Sequence, residues 1–227
     1  MDDYRPPVVK TTKNYGVDGM KFLVYGQAGI GKTCLCASMP NPIIISAESG
    51  LLSLSALDLP YIEVKSFADL SNAYKWLASS EEAKGYDSVC IDSISEVGEV
   101  ILAHEKENNT NLMRAYGNLL DQVDELVKAF RDLPGKHVYM SAKVERVQDE
   151  TGMLLYSPNM PGKQLPQRLP YLFDGIFHYQ IVRNQNGDPE RWLLTQPDGK
   201  SQAKDRSGKL DMWENPDLGA IINKIRS

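Results

Sequence analysis

The sequence lacks the features that mark secreted, membrane-spanning and disulfide-stabilised proteins. Only three of its 227 residues are cysteines, and Cys34, Cys36 and Cys90 fall in apolar segments without the spacing of a metal site. We interpret them as small core residues in a reducing cytosol. No apolar run approaches the roughly 18 residues that a membrane helix needs, and the polar N-terminus lacks the apolar stretch of a signal peptide. These absences predict a cytoplasmic location and no membrane partner.

Basic charge and histidine are also scarce. Lysine and arginine total 25 against 30 acidic residues, which gives a net charge of −5. This balance argues against a strongly electrostatic nucleic-acid binder, so any DNA contact requires a local patch. The three histidines are scattered, and we expect structural roles for them. With 42% hydrophobic residues and no internal repeat or linker, the chain is expected to form one domain.

What the sequence does contain is a complete phosphate-binding loop with the pattern G-x-x-x-x-G-K-[ST]. Its glycines allow consecutive backbone N–H groups to curl around the β- and γ-phosphates of a nucleoside triphosphate. The lysine places an ammonium group on these phosphates, and the hydroxyl of the last residue binds Mg²⁺. A chance glycine-rich turn is the alternative. The motif consists of Gly26, Gln27, Ala28, Gly29, Ile30, Gly31, Lys32 and Thr33.

The surroundings of the loop favour the nucleotide interpretation. The short apolar run 20–25 is rich in β-forming residues and directly precedes the loop, while residues 33–38 can open the following helix. The positive end of a helix dipole favours anions. Strand, loop and helix therefore occur in the order that a phosphate site requires.

Beyond the loop, strand and helix patterns alternate as in a parallel α/β sheet flanked by helices. A polar break at 108–111 separates two helices, and Pro134-Gly135 ends the second of them. Near the C-terminus the turn Asn186-Gly187 predicts an antiparallel hairpin. We expect strands at 43–46, 61–64, 88–92 and 137–140, helices at 67–78, 94–104, about 112–132 and about 216–226, and hairpin arms at 174–182 and 192–195.

Asp92 is the candidate metal-binding partner of Thr33. It ends the apolar run Ser88-Val-Cys-Ile-Asp92, and an aspartate at the carboxyl edge of a strand lies beside Mg²⁺, usually through a water. An aspartate that only opens a turn is the alternative. Ser93, the next residue, is expected to cap the following helix or to compete for this position.

Glu48 is the candidate catalytic base. It ends the strand next in sequence after the loop, whereas Ser93 beside Asp92 cannot serve as a base. A carboxylate at Glu48 is placed to orient the water in line with the γ-phosphate. The alternative is an ordinary exposed glutamate in the turn Glu48-Ser49-Gly50.

Together these residues resemble the core of RecA-type recombinases, in which a glutamate after the strand that follows the phosphate loop is the catalytic carboxylate. The whole chain, over about residues 18–212, resembles phage-encoded AAA-family ATPases that include RecA-like single-strand annealing proteins. The resemblance implies a RecA-like P-loop NTPase fold, ATP and Mg²⁺ as ligands, and assembly into a ring or filament. It further implies single-stranded DNA and a single-strand binding protein as partners, in a host cytoplasm.

The resemblance also implies two DNA-facing loops. The first corresponds to the polar break 107–112, with Asn108 and Asn109. The second corresponds to 144–169, a long stretch without a clear regular pattern. An ordinary β-hairpin, 144–149 paired with 154–157, is the alternative for half of the second segment. Its candidate DNA-binding residues are Tyr156, Lys163, Gln164 and Arg168.

A basic segment at 200–209 completes the resemblance. In RecA-like filaments two basic residues, two positions apart and late in the core, reach the γ-phosphate bound by a neighbouring subunit. Lys204 and Arg206 match that pattern, and residues two apart on an extended strand share a face. A solvated basic loop is the alternative.

Two departures favour a minimal role such as ATP-stimulated annealing over full strand exchange. Since the sequence ends at Ser227, we expect no C-terminal DNA-binding domain, and we expect the N-terminal extension 1–18, too short for a helical domain, to serve as an oligomerisation strap. Residues 19–227 are then the ATPase core. The alternative function is a nucleotide-switched ATPase that acts on a protein partner. A small-molecule kinase is a third, disfavoured because no arginine-rich lid follows the loop.

Overall fold

A largely parallel β-sheet forms the centre of the computed structural model, which describes residue 6 and residues 19–48, 50–148, 152–162 and 164–227. Within these ranges the order of the main strands is β10-β8-β7-β1-β5-β4-β2-β3, with β6 paired to β5 and β9 paired to β7. The six strands from β7 to β3 are mutually parallel. The strands are β1 (Lys21–Gly26), β2 (Pro42–Ser46), β3 (Tyr61–Glu63), β4 (Ser88–Asp92), β5 (His137–Gln148), β6 (Leu154–Pro158), β7 (Gly175–Arg183), β8 (Pro189–Leu194), β9 (Lys204–Asp205) and β10 (Trp213–Glu214).

Continuous apolar runs explain why the central strands occupy the middle of the sheet. Every residue of β1, β2 and β4 is buried, as expected for parallel strands covered on both faces. On β1, Leu23 and Tyr25 pack into one core, and Phe22 and Val24 pack into the other. The alternation of side chains along a strand therefore divides the interior into two cores.

Helices cover both faces of this sheet. The first core contains α1 (Phe67–Ser79), α2 (Ile94–Asn108) and α3 (Leu112–Arg131), followed along the chain by the single turn α4 (Leu165–Arg168). The second core contains α5 (Leu218–Arg226) and the short 3₁₀ helices Thr33–Ser38 and Leu51–Leu54. The predicted α/β class, with a mainly parallel sheet flanked by helices and an antiparallel C-terminal hairpin, is confirmed.

Three elements differ from the sequence expectation. The helix after the phosphate loop is a single 3₁₀ segment, because Pro40 and Pro42 follow and end it. Strand β5 continues to Gln148, well beyond the expected end at 140, because its second half pairs with β6. Strand β7 forms the predicted hairpin with β8 but is also the parallel neighbour of β1.

The topology places β1 between β5 and β7, and both neighbours extend past its end. Gly26, the last residue of β1, is level with Lys143 on β5 and Tyr179 on β7. Two hairpins, β5–β6 and β7–β8, therefore project beyond the carboxyl edge of the sheet on either side of β1. The predicted N-terminal strap 1–18 lies outside the described residues, apart from Pro6. None of the described helices is both long and apolar enough to span a bilayer.

Candidate nucleotide site

The phosphate-binding loop follows β1 directly and is shaped by close approaches to β7. A Cβ atom on Gly26 would lie 2.7 Å from the Tyr179 carbonyl oxygen, so a side chain cannot be accommodated there. Gly31 has a φ of 111°, a conformation that residues other than glycine rarely adopt. The backbone geometry itself thus requires the two invariant glycines of the pattern, Gly26 and Gly31.

Lys32 lies across the loop that it is expected to serve. Its Nζ donates to the carbonyl oxygens of Gly26 and Gln27, each at 2.9 Å. Burial lowers the pKa of this lysine, while the nearby carboxylates of Glu48 and Asp92 oppose the shift. The buried Tyr139 on β5 donates its hydroxyl to the Lys32 carbonyl oxygen at 2.8 Å and holds the end of the loop in place.

Thr33 and Asp92 lie together, as the sequence predicts for a magnesium site. The Thr33 hydroxyl donates to Asp92 Oδ2 at 2.7 Å, and the Ser141 hydroxyl on β5 donates to Oδ1. Asp92 is only 2% exposed. Among the described residues no ion pair neutralises this carboxylate, although burying an unpaired charge is unfavourable. A hydroxyl and a buried carboxylate, both oxygen donors, fit Mg²⁺.

The protein supplies only part of the coordination shell. Nowhere in the described ranges do three or more His, Cys, Asp or Glu side chains cluster as a metal cage. Mg²⁺ usually keeps several waters and uses substrate phosphates as ligands, which agrees with a site of two protein groups. Thr33 and Asp92 would hold the ion, which would supply positive charge to offset the negative charge of the nucleotide phosphates.

Glu48 lies next to the end of β4, the strand that carries Asp92, as its predicted role requires. The Ala47 N–H donates to the Asp92 carbonyl oxygen at 2.8 Å, which fixes the end of β2 beside the end of β4. The Ser93 hydroxyl then donates to Glu48 Oε1 at 2.5 Å. Ser93 also caps α2 by accepting from the Glu96 N–H. Ser93 thus orients Glu48, for which the sequence predicts the role of catalytic base.

Lys143 is a second cation in this region that sequence reasoning missed. It pairs in register with Gly26, and its ammonium forms an ion pair with Glu96 on α2. The hydrogen bond to Glu96 raises the pKa of Lys143, and Glu48 contributes to the shift. The sequence did indicate a site here, since the polar residues Ser141 and Lys143 follow the apolar run 138–140. Only the sheet order, however, shows that β5 lies between β1 and β4.

Comparison with known proteins identifies the family to which this arrangement belongs. A family model described as "AAA domain" matches residues 18–207, well over half of the chain. The chain belongs to the AAA domain family. It is a P-loop ATPase, as the sequence predicted.

Among solved structures that match the chain is a KaiC-like protein from the hyperthermophilic archaeon Pyrococcus horikoshii, with 12% identity and a TM-score of 0.45. The match covers 78% of each chain. No curated protein matches the chain significantly in sequence.

The first predicted DNA loop of this AAA domain is shorter than expected. Asn108 belongs to α2, and only residues 109–111 separate α2 from α3. The Asn108 amide donates to the His104 carbonyl oxygen at 2.8 Å, and the Asn109 amide donates to the Glu105 carbonyl oxygen at 3.0 Å. Both side chains therefore cap the helix end. Their contact with DNA remains a prediction.

The second predicted DNA loop is regular in its first half, where the sequence offered an ordinary β-hairpin as the alternative, and its contact with DNA remains a prediction. Its first half is the β5–β6 hairpin, paired from Val144 with Pro158 to Gln148 with Leu154, because alternating polar and apolar residues flank Gly152. Tyr156 lies on β6. The exposed Gln164 precedes the exposed Arg168 by one turn of α4. Lys163 lies outside the described residues.

Lys204 and Arg206 lie at the opposite edge of the sheet. Strand β9 pairs with Gly175 and Ile176 at the start of β7, and Gly175 is level with Phe22 on β1. The Lys204 ammonium donates to the Pro170 carbonyl oxygen at 2.6 Å, and the Arg206 guanidinium donates to that of Tyr171 at 2.8 Å. Burial lowers the pKa of Lys204 to about 8. The segment is thus not a freely solvated loop.

Proposed function

We propose that this ATPase depends on Mg²⁺, self-assembles and acts on single-stranded DNA in recombination, annealing or replication. The observation that supports DNA as the partner is a direct connection between the β5–β6 hairpin and the nucleotide loop. The Tyr25 hydroxyl donates to the carbonyl oxygens of Tyr156 at 3.0 Å and Gln202 at 2.7 Å. Tyr25 immediately precedes Gly26, so the loop and the hairpin share one buried anchor.

The hairpin presents chemistry that suits single-stranded nucleic acid. The Arg146 guanidinium lies 5.0 Å from the centre of the Tyr156 ring and donates to the Tyr156 hydroxyl at 2.7 Å. The ring in turn contacts His178, which stacks on Tyr25. Aromatic rings with an adjacent guanidinium bind bases by stacking and phosphates by charge. This hairpin joins a candidate DNA contact to the strand that enters the nucleotide loop.

Fluorescence anisotropy with a labelled single-stranded oligonucleotide tests the DNA part of the proposal. We expect modest affinity without nucleotide and tighter binding with a non-hydrolysable ATP analogue, and we expect DNA to stimulate ATP turnover. Arg146→Ala should weaken binding several-fold and lower the slope of log affinity against log salt by about one. Arg183→Ala removes the same charge from the other projecting hairpin and should leave DNA binding unchanged.

The alternative, a nucleotide-switched ATPase with a protein partner, makes the opposite prediction. The oligonucleotide would then fail to bind with or without the ATP analogue, while ATP hydrolysis by the purified protein would continue. That combination would overturn the DNA proposal and leave the ATPase assignment intact.

A further inference from the structure

A cleft of about 460 Å³ opens on the β7–β8 side of the phosphate-binding loop. Its lining comes from the two hairpin strands and from the loop before α5. Tyr179 connects it to the nucleotide site, because its hydroxyl lies 3.3 Å from where a Cβ of Gly31 would be. The cleft is lined by Tyr179, Ile181, Pro189, Arg191 and Pro216.

The direction of the bound triphosphate follows from the order of the strands. Asp92 on β4 and Glu48 after β2 both lie on the β5 side of β1, so the γ-phosphate must point that way. The α-phosphate and the sugar then leave the loop on the other side of β1. The neighbour on that side is β7, and the cleft follows it.

The side chains of the cleft suit the face of a purine. Ile181 is 57% exposed although it is a large apolar residue, and it is directly opposite Arg191 on β8. Because Tyr179 lies two residues earlier on the same strand, the three side chains share one face of the hairpin. A guanidinium stacks favourably on a flat π system. Among the described residues, no carboxylate or side-chain amide lines the cleft. The edge of a base would therefore form no hydrogen bond to such a group there.

We propose that this cleft holds the purine base of the nucleotide, with the base stacked between Arg191 and the apolar surface of Ile181 and Pro216. Tyr179 forms the wall between the base and the phosphates. Recognition then rests on the two faces of the ring. The inference depends on the ATPase assignment and is independent of DNA binding.

Inorganic tripolyphosphate separates base binding from phosphate binding. Isothermal titration calorimetry with ATP and with tripolyphosphate, each with Mg²⁺, should show that Arg191→Ala and Ile181→Asp weaken ATP binding about 5- to 20-fold. Tripolyphosphate affinity should stay unchanged in both variants. Lys32→Ala should abolish binding of both ligands, which confirms that they share the loop. Arg183→Ala, on the same hairpin outside the cleft, is the matched charge control.

A second exposed apolar residue, Leu52, marks an alternative place for the purine base. Leu52 is 86% exposed in the 3₁₀ helix Leu51–Leu54, which packs beside Thr33–Ser38 on the β2 side. The proposal is overturned if Leu52→Asp weakens ATP binding selectively while the cleft variants do not. It is also overturned if the cleft variants lower ATP and tripolyphosphate affinity equally. If the wild-type protein bound neither ATP nor tripolyphosphate, the nucleotide site itself would be contradicted. Failure of the cleft proposal and failure of the ATPase assignment therefore give different results.

Discussion

Asp92 and Glu48 are carboxylates at neighbouring strand ends, but their surroundings give them different roles. Asp92 is almost fully buried and accepts hydrogen bonds from Thr33 and Ser141, so it is fixed in position. Glu48 is exposed and has the Ser93 hydroxyl as its hydrogen-bond donor. A fixed carboxylate suits a metal, and an accessible one suits a water that must be deprotonated.

The buried position of Asp92 predicts a metal-dependent defect. Asp92→Asn retains the shape and removes the charge. We therefore expect half-maximal turnover to require a Mg²⁺ concentration roughly 10- to 100-fold higher. ATPase rates across a magnesium titration measure this change. Equal rates for the variant and the wild type at every magnesium concentration would remove Asp92 from the site.

Glu48→Gln should leave ATP bound but turned over slowly. The amide keeps the hydrogen bond from Ser93 but cannot accept the proton of the attacking water, so we expect a fall in kcat of roughly 10²-fold or more. Single-turnover hydrolysis, with ATP affinity measured in parallel, tests this. Turnover within a factor of two of wild type would transfer the role to Glu99 or to Glu96, which is paired with Lys143.

At the scale of elements, two buried histidines connect neighbouring segments through their Nδ1 atoms. His137 Nδ1 on β5 accepts from the Met20 N–H at 3.0 Å, which joins the starts of β5 and β1. His178 Nδ1 on β7 lies 2.9 Å from both the Ser201 hydroxyl and the Gln180 amide. Burial lowers the pKa of each histidine to about 4. Both are therefore neutral near neutral pH.

These histidines predict a loss of stability in acid. Each folded-state pKa lies below the unfolded value of 6.5, so the unfolded chain binds more protons and stability falls as pH drops from about 6.5 towards 4. The loss is on the order of 1 to 3 kcal/mol per histidine. Urea unfolding across this range measures it. His137→Asn keeps an acceptor for Met20 and should flatten the curve; an unchanged curve would contradict the assignment.

At the scale of the whole molecule, Lys204 and Arg206 lie too far from the chain's own loop to serve it. They lie beside the start of β7, and the loop follows Gly26, four residues beyond the level of Gly175. That separation is roughly 13 Å along the strand. If the two cations reach a γ-phosphate, it is that of a neighbouring subunit, and they must leave the carbonyl oxygens of Pro170 and Tyr171.

The trans role predicts recovery of activity on mixing two inactive proteins. Lys204→Ala/Arg206→Ala should bind ATP but hydrolyse it poorly, because the charge that stabilises the transition state is missing. Adding Lys32→Ala protein should restore part of the rate, since it offers intact cations to an intact loop. Specific activity of the wild type should rise with protein concentration. Co-assembly without any recovery would assign the pair to holding the 165–172 segment.

Local sequence was sufficient for the features that depend on a few adjacent residues. The phosphate loop, the buried strand ending at Asp92 and the hairpin at Asn186-Gly187 each follow from backbone freedom, charge or periodicity within about ten residues. The parallel pairing of β7 with β1 did not follow, because it joins residues that lie far apart in the sequence, and the β5–β6 hairpin was predicted only as an alternative.

What the sequence by itself determined is the chemistry of the ATPase: a loop for phosphates, a hydroxyl and a carboxylate for Mg²⁺, and a glutamate beside them. Only the tertiary structure decided which residues share the site. Strand order inserts β5 between β1 and β4, which brings Ser141 to Asp92 and Lys143 level with Gly26. On the other side of β1, β7 places Tyr179 and the cleft. Contacts between residues more than a hundred positions apart depend on the packing of the whole sheet, and no local pattern encodes them.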